Sequence, residues 1–126
     1  MSAARFPPGF ATGLRLFNAG DFFAAHEAFE DLLEQVEGDE RWDCLVALIQ
    51  VAVGYHKCAS GHPGGARMLA LGAAKLAPFP PVFRGVAVDR LRRRVADDLA
   101  VLEGGGSPLA ISPPRIEMTR PDTPAG

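Results

Sequence analysis

The sequence predicts an all-α protein, a compact bundle of about five helices built from antiparallel helix hairpins. Three observations carry this. Apolar residues recur at three- and four-residue intervals in five separate segments. Each segment is bounded by turns rich in Gly, Pro, Asn or Asp. The 126 residues, close to half of them hydrophobic, suffice for one buried core and not for two. Residues 1–103 therefore read as a single helical domain and 104–126 as a Gly/Pro-rich C-terminal tail.

The first helix is expected from Thr12, with Leu14 and Phe17 inward and Gly20 supplying a left-handed stop. Asp21 is placed to cap the second, in which Phe22, Ala25, Phe29, Leu32, Leu33 and Val36 follow at helical spacing to about Gly38. The third, from Trp42 to Cys58, is apolar almost all the way round, as suits a helix in the middle of a bundle. Asp43, Gln50 and Lys57, seven residues apart, form its one polar stripe. Pro63 suits the first position of the fourth helix, whose inward line is Ala66, Leu69, Ala73 and Leu76; Gly65 and Gly72 permit close approach of a neighbour. "APFPPVFRG" is a connecting loop whose Phe79 and Phe83 cover the core. The fifth helix, about Val88 to Leu102, turns Val88, Leu91, Val95, Leu99 and Leu102 inward and pairs Arg93 with Asp97 and Arg94 with Asp98 on its other side. Ile111, Ile116 and Met118 offer the tail anchors on the bundle. "FNAGDFFAAHEAF" and "CASGHPGGARMLA" share a rhythm of helix end, Gly and helix start, the rhythm of tetratricopeptide-like helix pairs, although their offset of about 41 residues exceeds the usual ~34.

Composition narrows the function classes. A formal net charge of −2 provides no basic field for nucleic acid, and the Arg-rich run 90–94 is flanked by Asp89, Asp97 and Asp98. The longest apolar run, Cys44 to Tyr55, is too short to cross a bilayer, so no membrane partner is expected. The N-terminus lacks the apolar stretch of a secretory signal, which makes the cytoplasm the expected location. Cys44 and Cys58 lie about 21 Å apart along one helix, too far to bridge, and read as reduced core thiols.

The candidate site is in "DFFAAHEAFEDLL". On a wheel of ~100° per residue, His26 falls about 20° beyond Leu33, Glu30 a further ~40° on, and Phe23 just past it. Two polar side chains four residues apart are thus bracketed by large apolar ones. His56 falls between Leu45 and Ile49 on the most apolar face of the third helix. Glu27 and Glu34 fall farther out, and His62, before Pro63, suits a cap. Inward imidazoles and carboxylates need partners, because an unpaired buried charge costs several kcal/mol. One solution is a structural network of Glu30 with His26, His56 or Gln50. The other is a divalent metal, Zn or Mn, held by His26, Glu30 and His56, with Gln50 beside it and Glu27 as general base toward a metal-activated water. "HEAFE" is not the H-E-x-x-H of zinc peptidases, since Glu30 stands at its last position.

"FNAGDFFAAHEAFEDLLE", "ALIQVAVGYHK" and "GHPGGARMLALGAAKL" together resemble the small bacterial and archaeal family known as domain of unknown function 309, over Leu14 to about Leu102. Asn18, Gly20, His26, Glu27, Glu30, Gln50, His56, Gly61, Gly65 and Ala66 occupy that family's characteristic positions. Leu33 stands where the family often has Trp, and His62 where it often has Asn. The resemblance implies an all-helical fold and, through the family's label of predicted metal-dependent hydrolase, a metal site. Two functions follow as expectations: hydrolysis of a small substrate at a metal-binding His/Glu cluster, or a non-enzymatic interaction or scaffold module in which that cluster fixes packing. The hydrophobic residues of the proline-rich loop and tail supply material for a homodimer.

Overall fold

The computed structural model describes residues 5–119. Among them are five α-helices, α1 (Phe10–Asn18), α2 (Phe22–Glu30), α3 (Glu40–Ala59), α4 (Gly65–Leu76) and α5 (Val88–Glu103), and no β-strand beyond isolated bridges. The all-α expectation holds. None of these helices is long and apolar enough to cross a membrane.

α1 starts two residues earlier than Thr12 and stops where Gly20 adopts a φ of 85°. The amide of Asp21 then reaches back to the carbonyl of Leu16 at 2.9 Å, which closes the helix end. The Asp21 carboxylate accepts from the Ala24 amide at 3.3 Å and so caps α2 as expected. α2 is shorter than its apolar spacing implied, ending at Glu30 rather than near Gly38. The chain tightens into a 3-10 turn, Leu33–Val36, with the Leu32 amide on the Phe29 carbonyl and the Gln35 amide on that of Leu32. Three-residue spacing satisfies the same apolar pattern, so Leu32 and Val36 are still buried. Asp39 caps α3 from its carboxylate, and the fork of Arg41 on that carboxylate holds it below the usual range. α4 begins at Gly65, not Pro63: His62 Nδ1 accepts from the Gly64 amide at 3.0 Å, and Pro63 lies in the turn before the helix.

α3 is central, with α2 against one side and α4 against the other; α1 packs on α2 and α5 on α4. The rings of Phe22 and Phe23 meet those of Tyr55 and His56. On the opposite flank two glycines let α4 settle onto α3. A Cβ at Gly72 would lie 2.6 Å from Val51 Cγ2, and one at Gly65 2.7 Å from Cys58 Sγ. The core holds Phe17, Phe29, Leu45, Leu48, Leu69 and Leu91, together with both free thiols. Phe83 and part of Phe79 cover it, as the loop reading anticipated.

Although central, α3 is not enclosed. Between its contacts with α2 and α4, Trp42, Val46, Ile49, Gln50, Val53, His56 and Lys57 are partly exposed along its outer side. Phe23 borders this stripe at 49% exposure, and Leu71 on α4 is exposed to 45%.

Candidate functional site

α2 brings His26 and Glu30 together by their four-residue spacing: His26 Nε2 lies 3.7 Å from Glu30 Oε1. The Phe23 carbonyl accepts from His26 Nδ1 at 2.5 Å, which fixes that imidazole and leaves Nε2 facing the carboxylate. The Phe23 ring stands against both imidazoles, 4.8 Å from that of His26 and 5.3 Å from that of His56 between centroids. The three polar residues therefore share a neighbourhood through an aromatic ring.

That neighbourhood is at the surface, which corrects the expectation of an inward cluster. The Glu30 side chain is 53% exposed, Glu27 is exposed, and His26 and His56 are half-buried. The physical reason is that α2 covers only one flank of α3 and leaves Phe23, which borders the cluster, 49% exposed. Gln50 lies on the stripe of α3 with its Oε1 buried and without a hydrogen-bond partner. Among the described residues, no group of three or more His, Cys, Asp or Glu side chains converges to hold a metal ion. The donor set His26, Glu30 and His56 thus does not fit a three-ligand metal site as placed here.

The molecule does contain a buried ionic network, elsewhere. Asp98 is the buried charged residue of the core, 8% exposed. Its Oδ2 accepts from the Tyr55 hydroxyl at 2.5 Å and from Arg94 Nε at 3.0 Å, and Arg94 also donates to the carbonyl of Ser112. Three parts of the chain, α3, α5 and the tail, meet in this network. Burial, then the bond to Asp98, pushes the Tyr55 phenol above its ordinary value; burial does the same to Cys58, beside it, and pushes the Cys44 thiol up to about 12. Next to the network is a cavity of about 210 Å³ whose lining includes Phe22, Tyr55 and Cys58 and, from the tail, Leu109, Ile111 and Pro113.

The expected Arg94–Asp98 pair forms, but it is turned toward the core and not toward solvent, and the spacing on α5 alone does not reveal Tyr55 or the tail as its partners. A signal for the inward turn was available: Leu91, Val95 and Asp98 fall at i, i+4 and i+7, so the aspartate continues the buried line that was assigned to Leu99. Arg93 pairs with Asp89 at 2.9 Å rather than with Asp97, toward the helix start instead of the end. The other residue missed is Asn18. Its side chain donates to the Ile116 carbonyl at 3.0 Å and accepts from the Ile116 amide at 2.8 Å, clamping the tail backbone.

Part of this chain is similar in sequence to known proteins. Residues 10–69 match the family described as domain of unknown function (DUF309). The matched segment runs from the start of α1 into α4 and includes His26, Glu27, Glu30, Gln50 and His56, though not Arg94 or Asp98. The chain is also 30% identical over 93 residues, 73% of its length, to an uncharacterised protein of Aquifex aeolicus (strain VF5). It spans 28% of that relative's length.

Proposed function

We propose that this chain is a helical interaction module that docks an amphipathic partner helix on the outer side of α3. One observation carries the reading. Trp42, Val46, Ile49, Val53 and His56 repeat at alternating four- and three-residue intervals along a helix of 20 residues, and this stripe lies open between α2 and α4. Such a seam is what a partner helix fills when it lays its own apolar face into a groove. The polar line beside it, Asp43, Gln50 and Lys57, asks for a cation near one end of that partner and an anion near the other. In this reading the His26–Glu30 pair and the Tyr55–Asp98–Arg94 network hold helices and tail in register. The length of the Aquifex relative supports a unit that works joined to other parts.

Metal-dependent hydrolysis is the weaker reading, since the Phe23 ring stands against both His26 and His56 and the general-base candidate Glu27 is exposed to solvent. A photo-crosslinking residue placed at Val46, and at the exposed Ala96 as control, tests the proposal in cells that produce the protein. Crosslinked product is expected from position 46 and not from 96, and equal yields at both overturn it. Metal content after equilibration with zinc and with manganese provides the second arm. Stoichiometric binding that His26→Ala abolishes would return the cluster to catalysis.

A further inference from the structure

Resting on the docking reading above, we infer that the partner helix is α3 of a second copy, paired antiparallel across a two-fold axis that passes beside Gln50. The polar line of α3 is the reason. Asp43 and Lys57 lie seven residues to either side of Gln50, close to the midpoint of Glu40–Ala59. Reversing one copy against the other therefore sets Asp43 opposite Lys57 of the second copy, Lys57 opposite its Asp43, and Gln50 opposite Gln50. Opposite charges meet at both ends, and a carboxamide meets its like at the centre, where each can donate to the other's oxygen. Among the described residues the buried Gln50 Oε1 has no donor, and rotation of its side chain toward the axis would supply one.

The apolar positions flank the same axis. Val46 lies four residues before Gln50 and Val53 three after it, with Ile49 next to it, so apolar side chains stand on both sides of the crossing in either copy. Leu71 adds to them: its neighbour Gly72 packs on Val51 and Ala47, which puts the exposed Leu71 level with the middle of α3 and near the axis. Asp43 already has Lys75 at 3.8 Å, yet its side chain is 67% exposed and retains free acceptor positions. A parallel pairing lacks these matches, because it would set Asp43 against Asp43 and Lys57 against Lys57. A strip one helix wide is at the small end of stable interfaces, so the association is reversible and depends on concentration.

Sedimentation velocity on the full chain tests this. Dimer is expected to dominate at concentrations on the order of 100 μM and to dissociate on dilution. Asp43→Lys and Lys57→Asp are each expected to weaken it about tenfold by bringing like charges together, and the double variant Asp43→Lys/Lys57→Asp to restore much of the loss. Val53→Glu abolishes it, with melting temperature and far-UV circular dichroism confirming that each variant is folded; if Val53→Glu fails to fold, the charge exchange carries the test. A chain that stays monomeric throughout, or a dimer indifferent to all four variants, overturns the inference. Monomer together with crosslinking from position 46 to a different protein would overturn the second copy and leave the docking module standing.

Discussion

Tyr55 and Asp98 concentrate the polar energetics of this protein in one bond. The Asp98 carboxylate is buried beside apolar α5 neighbours and has two side-chain donors, the Tyr55 hydroxyl and Arg94 Nε. Tyr55→Phe removes one donor without removing the ring that packs on Phe17 and Phe22. The expected cost is about 1–3 kcal/mol of unfolding free energy in urea titration, the range for a hydrogen bond to a buried charged group. A change too small to measure would mean that Arg94 alone satisfies the carboxylate. The same residue governs alkaline behaviour. Burial raises the Tyr55 phenol above its ordinary 10.0 and moves the Cys44 thiol from 9.0 to about 12. A raised folded-state value means that the folded protein holds its proton more tightly than the unfolded chain does. That stability is complete below the unfolded values and is lost as pH rises past them, at up to about 1.4 kcal/mol per pH unit for each group. The denaturation midpoint should thus begin to fall near pH 9, as unfolded Cys44 starts to ionise. In Tyr55→Phe the added steepness above pH 10 should be absent.

At the scale of elements, α4 packs closely on α3, and this depends on residues without side chains. Gly72→Ala would place a Cβ 2.6 Å from Val51 Cγ2 and 3.2 Å from the Ala47 carbonyl, the second of which is backbone and cannot swing aside. A loss of about 1–3 kcal/mol is expected, against the gain of up to ~1 kcal/mol that Gly→Ala brings in an open helix. Thermal melting decides between the two signs. This close approach was readable from Gly65 and Gly72, because two glycines seven residues apart on an apolar helix share one face. Helix ends were readable where a single residue enforces them, as Gly20 and Asp21 do. The end of α2 was not, since α-helical and 3-10 spacing bury Leu32 and Val36 alike and only the backbone bonds distinguish them. The candidate site divides in the same way. Adjacency of His26 and Glu30 follows from spacing within one helix, whereas their exposure depends on which flank of α3 is left uncovered. A wheel of one helix contains no information about its neighbours. Asp98 was misplaced for a related reason: an aspartate on an apolar line looks like an interruption until Tyr55, 43 residues away, is known to face it.

Across the whole molecule, the tail does more than its Gly/Pro composition suggests. Its described residues, 104–119, contain little helix or strand, yet they are held at Asn18, at Arg94 through Ser112, and at Gly85 through the amide of Thr119. Ile116 is buried to 2% exposure in the core that α1 and α5 help to form. Irregular backbone packs stably when its own polar groups are satisfied, and the Asn18 side chain satisfies both the amide and the carbonyl of Ile116. The clamp and the buried side chain should therefore act as one unit. Asn18→Ala is expected to cost about 1–3 kcal/mol through two orphaned backbone groups, and Ile116→Ala about 2–4 kcal/mol through the cavity it leaves. In the double variant the loss should fall short of the sum by about 1 kcal/mol, because a tail already freed by one change no longer needs the other contact. Urea denaturation of the four proteins measures the coupling. Strict additivity would mean that Asn18 acts only within α1, and that the tail docks through its hydrophobic contact alone.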